Sequence, residues 1–274
     1  MSVTGCDMLF QPVFPGQRAI AEPTSEQMQI IRVAASWAAL PLVNGLEKAY
    51  REQYPNSIFQ INAAESGLAK QSLEANQADL AFVFDDTAGS IYTGTVITKL
   101  GNRPPVIAYD ALVVVVSANT AIDGLSMAQL HDIYTGRVIT WDQVGGGKSQ
   151  VVFISRESGS ATRLLFDQVV MHGDDISTAA VVLPSDEAVK DYIVRHPGAI
   201  GYLSMSYVDA SIKVIKLDDR LPNQATIKSG AYPLSRPIVV LIGTDGQLDA
   251  QRLLLLALSN QGCQIAAQHY FCLR

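Results

Sequence analysis

The sequence predicts an α/β protein of two lobes, with the second lobe inserted into the first. Two observations predict this. Short apolar runs alternate with segments of helical spacing, the rhythm of a parallel sheet covered by helices. Two long extended runs, at 109–117 and 232–243, bracket the middle of the chain as crossing strands, which places a cleft between the lobes. With 274 residues, 48% of them hydrophobic, the chain is long enough to bury a substantial core.

The elements follow in order. "IIRVAAS" is a short apolar strand from Ile30, and Leu42, Leu46, Ala49 and Tyr50 share one face of the helix after it, which stops at Pro55. A strand at 57–63, a helix at 67–77 and a strand at 78–84 complete a βαβαβ unit. After the β-branched run "YDALVVVVS", helices are predicted at 126–136, 161–171 and 186–198, alternating with strands at 150–156, 179–185 and 199–205. The run "YPLSRPIVVLIG" returns to the outer lobe, and 248–270 supplies closing helices. The expected boundaries are an N-terminal tether at 1–29, an outer lobe of 30–111 plus 233–274, and an inserted lobe of 112–232.

Composition narrows the chemistry. The net charge is −6 and no block of like charges stands out, which disfavours nucleic acid as a partner. No run reaches about 18 apolar residues, so no membrane span is predicted. Cys6 ends "VTGC", which resembles the end of a bacterial lipobox, without the charged and apolar regions that precede one. It is either a lipidation site or a chance match. Cys263 and Cys272 either pair, if the protein is exported, or stay as buried thiols.

Three places join a strand to a helix through small polar residues: Ser36-Trp37-Ala38, Glu65-Ser66-Gly67 and Gly159-Ser160-Ala161-Thr162. Helix starts expose unpaired N–H groups, and in open α/β sheets such loops gather where ligands bind. Arg156, four residues before Ser160, adds a planar fork suited to an oxyanion. A serine at any one helix start is ordinarily a cap. Three such starts with an arginine point to an oxyanion cradle. Other chemistries lack their signatures. "SGSAT" is not a nucleophile elbow, no phosphate-binding P-loop motif occurs, and the four histidines have no metal spacing. No metal, cofactor or catalytic residue is predicted.

Four segments together resemble the phosphate-binding proteins of bacterial ABC transporters: "RESGSATRLLF", "LHDIYTGRVITWDQVGGG", "AIGYLSMSYV" and "YPLSRPI". The likeness covers about 30–270. It implies a type II periplasmic-binding-protein fold that closes on phosphate or a similar oxyanion and docks on a membrane permease, as an extracytoplasmic monomer. It places Arg156, Ser160, Ala161 and Thr162 at the anion, with Ser66 at the second helix start and Ser36, Trp37 and Ala38 in the first ligand loop. It also favours lipidation of Cys6 and a Cys263–Cys272 disulfide.

Two departures matter. Trp37 stands where the family offers a hydroxyl. The simplest alignment puts Phe84 where the family has the aspartate that accepts the phosphate proton, with Asp85 one residue late. A one-residue slip turns a side chain to the other face unless a bulge restores it. These departures support an alternative, a sensor or adhesion protein on the same scaffold with altered or lost ligand. A serine hydrolase acting through Ser160 is the third reading, and it lacks a paired base.

Overall fold

The computed structural model describes residues 29–85, 104–243 and 248–273. Cys6 and most of the expected tether lie outside them. The first unit runs β1 (Gln29–Ser36), α1 (Leu40–Gln53), β2 (Ser57–Ala64), α2 (Ser66–Glu74) and β3 (Leu80–Phe84). The long strand β4 (Val106–Ser117) follows. The middle unit contains β5 (Gly124–Leu125), α3 (Met127–Tyr134), β6 (Val152–Arg156), α4 (Ala161–Phe166) and β7 (Val181–Leu183). It continues with α5 (Asp186–Arg195), β8 (Ala199–Ser204), β9 (Ile212–Val214), β10 (Lys216–Leu217) and α6 (Gln224–Lys228). β11 (Ser235–Ile242), α7 (Leu248–Leu258) and α8 (Asn260–Ala266) close the chain.

One sheet runs through both halves in the order β2-β1-β3-β11-β4-β8-β6-β7, with β9 paired to β4. It is mixed rather than parallel throughout. β1 is parallel to β2 and β3, and β6 is parallel to β7 and β8, whereas β4 and β11 run antiparallel to their neighbours. β4 changes partners midway. Its Ala108–Ala111 stretch faces β11, and Leu112 onward faces β8. The β-branched run suits this, because the strand is buried along almost its whole length.

Two apolar cores flank the exchange point. One gathers residues between Ala111 and Leu234. The other gathers residues from Ile31 to Ala108 and from Ile238 to Tyr270, and it includes Ala161 from the middle unit. Trp141, from the "ITWDQV" segment, is buried with its indole Nε1 donating to Gly198 O at 3.0 Å. That segment therefore anchors α3 to the base of β8.

The helix expected over 161–171 is α-helical to Phe166 and then widens into a π-turn, Asp167–Met171, ended by His172 at φ 51°. The short pieces β5, β9, β10 and α6 had no sequence signal, since two to five residues are too few to show a period. Cys263 and Cys272 form a disulfide with Cα atoms 5.6 Å apart. It holds the last residues where Phe271 exchanges two backbone hydrogen bonds, of 2.8 and 2.9 Å, with Tyr109 of β4.

Candidate functional site

Each helix start expected to hold a ligand sits just beyond a strand end. Ser36 closes β1 in register with Ala64 at the end of β2, so the first two starts lie side by side. None of the three caps its own helix through a side chain. Ser36, Glu65 and Ser160 occupy N-cap positions with extended backbone, and none makes a side-chain cap bond. The Glu65 carboxylate is directed instead to the third start, at the Ala161 N–H.

Ser66 is buried at the first position of α2, and its Oγ accepts the Phe84 N–H at 3.3 Å. This ties the second helix start to the end of β3. Ala38 is buried, whereas Trp37 is 47% exposed and its carbonyl accepts from Tyr207 Oη at 3.3 Å. Ser36 is buried beside them.

The third helix start is the centre of the arrangement. Arg156, 3% exposed, ends β6 and is engaged at every nitrogen. Its Nη1 donates to Asp186 Oδ1, Nε and Nη2 each donate to Glu157 at 3.1 Å, and Nη2 also reaches Pro184 O at 3.1 Å. Tyr202 Oη accepts the Arg156 N–H at 3.3 Å and lies 2.9 Å from Ser155 Oγ, which fixes the strand end below the site. Glu65, arriving from α2, accepts the Ala161 N–H through Oε2 at 3.0 Å and sets Oε1 3.8 Å from Arg156 Nη2.

A second guanidinium, which the helix-start pattern does not mark, enters from β11. Arg236 lies directly across from Asp110 in the β4–β11 ladder, and its Nη2 donates to Asp110 Oδ2 at 3.1 Å. The same nitrogen donates to Thr162 Oγ1 at 3.2 Å, and the guanidinium stacks 3.6 Å above the Phe84 ring. Its signal was present in "YPLSRPI", but its direction depends on the pairing of two strands 126 residues apart.

Two buried polar atoms have no hydrogen-bond partner among the described residues: Ser160 Oγ and Arg236 Nη1. Thr162 is two residues from Ser160 and bonded to Arg236, so the orphans flank one contact. A buried unpaired donor is costly and marks a place where another group is expected.

Phe84, rather than Asp85, holds the position facing Arg236. The β3–β11 register runs without a shift from Leu80–Ile242 to Phe84–Ile238, so no bulge in β3 turns Asp85 back. Asp85 follows the strand end, half-buried, with its N–H donating to Pro237 O at 3.1 Å.

The electrostatics are crowded. Burial pushes Asp110 up to about 6, against the pull of Arg236 and the Ser204 hydroxyl. Burial also raises Asp186, opposed by Arg156 and Arg236. Desolvation thus outweighs pairing for both carboxyls. Asp186 and Asp110 are joined through Ser204, whose N–H donates to Asp186 at 3.3 Å and whose hydroxyl donates to Asp110 at 2.7 Å. No cluster of three or more His, Cys, Asp or Glu suited to a metal occurs among the described residues.

A family model described as a PBP superfamily domain matches residues 19–254. The phosphate-binding protein PstS of Bacillus subtilis is 26% identical over 207 residues, covering 74% of this chain and 67% of that protein. PstS of Pseudomonas aeruginosa is 27% identical over 244 residues, covering 80% and 75%. A Clostridium perfringens protein, solved with bound phosphate and described as a phosphate ABC transporter substrate-binding protein, superposes with a TM-score of 0.81. It is 23% identical, covering 90% of this chain and all of that one, which carries the likeness of fold.

Proposed function

The chain belongs to the PBP superfamily, and from that premise we propose that it captures phosphate between its two lobes for delivery to an ABC transporter. The observation that carries this reading is the pair of buried unpartnered groups, Ser160 Oγ and Arg236 Nη1. Both are of the kind that a tetrahedral oxyanion satisfies: a hydroxyl and a guanidinium N–H can each donate to a separate oxygen. Similarity to two phosphate-binding proteins supports phosphate as that ion.

The mechanism is capture by closure. Ser160, Ala161 and Thr162 approach from the middle lobe, and Ser36, Trp37, Ala38 and Ser66 from the outer one. Arg236 stands on the crossing strand between them. A ligand shifts the open–closed balance only through contacts that are better in one state. Oxygens bonded to both sides supply that difference, and no bond-making is required. Arg156, held by Asp186 and Glu157, contributes its field and positions the strand end rather than offering a free fork.

The proposed setting is extracytoplasmic, consistent with the related binding proteins and with the paired cysteines. No helix among the described residues is long and apolar enough to cross a membrane. Acylation of Cys6 and docking on a permease complete the proposed role.

A second reading, a sensor or adhesion protein on the same scaffold with altered or lost ligand, is favoured by two observations. The Ala161 N–H is taken by Glu65, and Phe84 stands where a proton-accepting aspartate is expected. Calorimetric titration with phosphate, arsenate, sulfate and molybdate separates the two. Saturable heat with phosphate supports capture, and no heat with any of the four supports the sensor.

A further inference from the structure

We propose that Glu65 is a resident anion: a carboxylate of the chain itself that holds the oxyanion site closed and that an incoming ion must displace.

Glu65 stands at the N-cap of α2, yet its side chain makes no bond to that helix. It reaches across the cleft. Oε2 accepts the Ala161 N–H at 3.0 Å and Oε1 lies 3.8 Å from Arg156 Nη2. Two oxygens on one carbon, one on an amide and one beside a guanidinium, reproduce part of what a tetrahedral ion would present. The residue is 25% exposed, so it has a path to water when it leaves. Meanwhile Ser160 Oγ and Arg236 Nη1, which Glu65 does not reach, stay buried and unpartnered. The site is thus half filled from within.

The charges around it argue for displacement rather than for sharing. Arg156 and Arg236 provide two guanidinium groups. Glu65, Glu157, Asp110 and Asp186 lie against them, each within 4.0 Å of one of the two. An anion entering with Glu65 in place would meet a carboxylate at the amide it needs. Repulsion between like charges at such range is large where water is scarce. Glu65 also spans the lobes, from α2 to α4, so it stabilises closure with no ligand. Ligand affinity is then reduced by the cost of removing it. A purely structural bridge would lend stability to the fold and leave anion affinity unchanged.

This inference rests on the proposed anion capture only for its binding arm, so two measurements are paired. Wild type, Glu65→Ala and Glu65→Gln are titrated with inorganic phosphate by calorimetry, and the ligand-free proteins are compared by small-angle X-ray scattering. The expected results are phosphate affinity higher by about tenfold or more in Glu65→Ala, a smaller gain in Glu65→Gln, and a larger radius of gyration for ligand-free Glu65→Ala. Unchanged or weaker phosphate affinity in Glu65→Ala overturns the proposal while leaving capture intact. If none of the three proteins binds phosphate, capture fails. The scattering alone then decides: expansion of Glu65→Ala upholds the resident anion, and an unchanged radius overturns it.

Discussion

Arg236 Nη2 donates to Thr162 Oγ1 at 3.2 Å, joining the second crossing strand to the helix start of the middle lobe. The same guanidinium is paired with Asp110 at 3.1 Å on the first crossing strand. One side chain therefore links the hinge to the site, and its Nη1 remains unpartnered.

Arg236→Met is predicted to destabilise the protein by about 3–5 kcal/mol, because it leaves Asp110 buried without its cation. The double variant Arg236→Met with Asp110→Leu should recover much of that loss and still fail to bind phosphate. Urea denaturation and calorimetry measure the two effects separately. A single variant as stable as wild type contradicts the pairing.

Ser160→Ala should behave in the opposite way. Ser160 Oγ has no partner to lose, so stability should stay within about 0.5 kcal/mol of wild type or rise. Phosphate binding should weaken by about 1.5–3 kcal/mol, the range for a hydrogen bond to a charged group. Thermal melting and titration check both halves, and unaltered affinity would remove Ser160 from the site.

Asp110 predicts a pH dependence with a definite sign. Its folded value of about 6 lies above its ordinary 3.8, so the native state binds the extra proton between those limits. The stability it contributes is complete below about pH 4 and is lost as pH rises through about 6. Across that window Asp110→Asn should gain on wild type by on the order of 2 kcal/mol. Denaturation curves at pH 4, 5, 6 and 7 give the difference, and a constant difference would mean that Asp110 is already ionised throughout.

Gly262→Ala should be destabilising by about 1–3 kcal/mol or more. A Cβ there would lie 2.3 Å from Leu256 O and 2.4 Å from Ala257 O, which are backbone atoms that cannot swing aside. The melting temperature reports it.

Reduction of Cys263–Cys272 should cost about 2–3 kcal/mol, from the loop it closes. It should also loosen Phe271 from Tyr109, measured as faster amide exchange at those two residues. Unchanged exchange on reduction would mean that the two backbone bonds hold without the bridge.

Much of the fold was legible in the chain because its signals are local. The helical face of Leu42, Leu46, Ala49 and Tyr50 is buried as its spacing predicts, and the apolar run at 109–117 is the core of β4. The antiparallel pairing of the two crossing strands and the two-residue strands were not legible, since pairing is a tertiary outcome. At the site, Ser160, Ala161 and Thr162 were marked by composition beside a helix start. Arg236 was not, because it reads as one charge in an apolar strand until β4 sets Asp110 opposite it. In the sequence Glu65 is one polar residue of the second helix start. Only the approach of the two lobes brings it to Ala161. The proton-acceptor position turns on one residue of register: the ladder sets Phe84 opposite Ile238, with its ring under Arg236, and Asp85 follows the strand end.

The most direct test is a crystal structure of the protein grown with phosphate. A tetrahedral ion is expected in the interlobe cleft, within hydrogen-bond distance of Ser160 Oγ and Arg236 Nη1, with Glu65 withdrawn from Ala161. Phosphate bound elsewhere, with those two atoms still unpartnered, would contradict it.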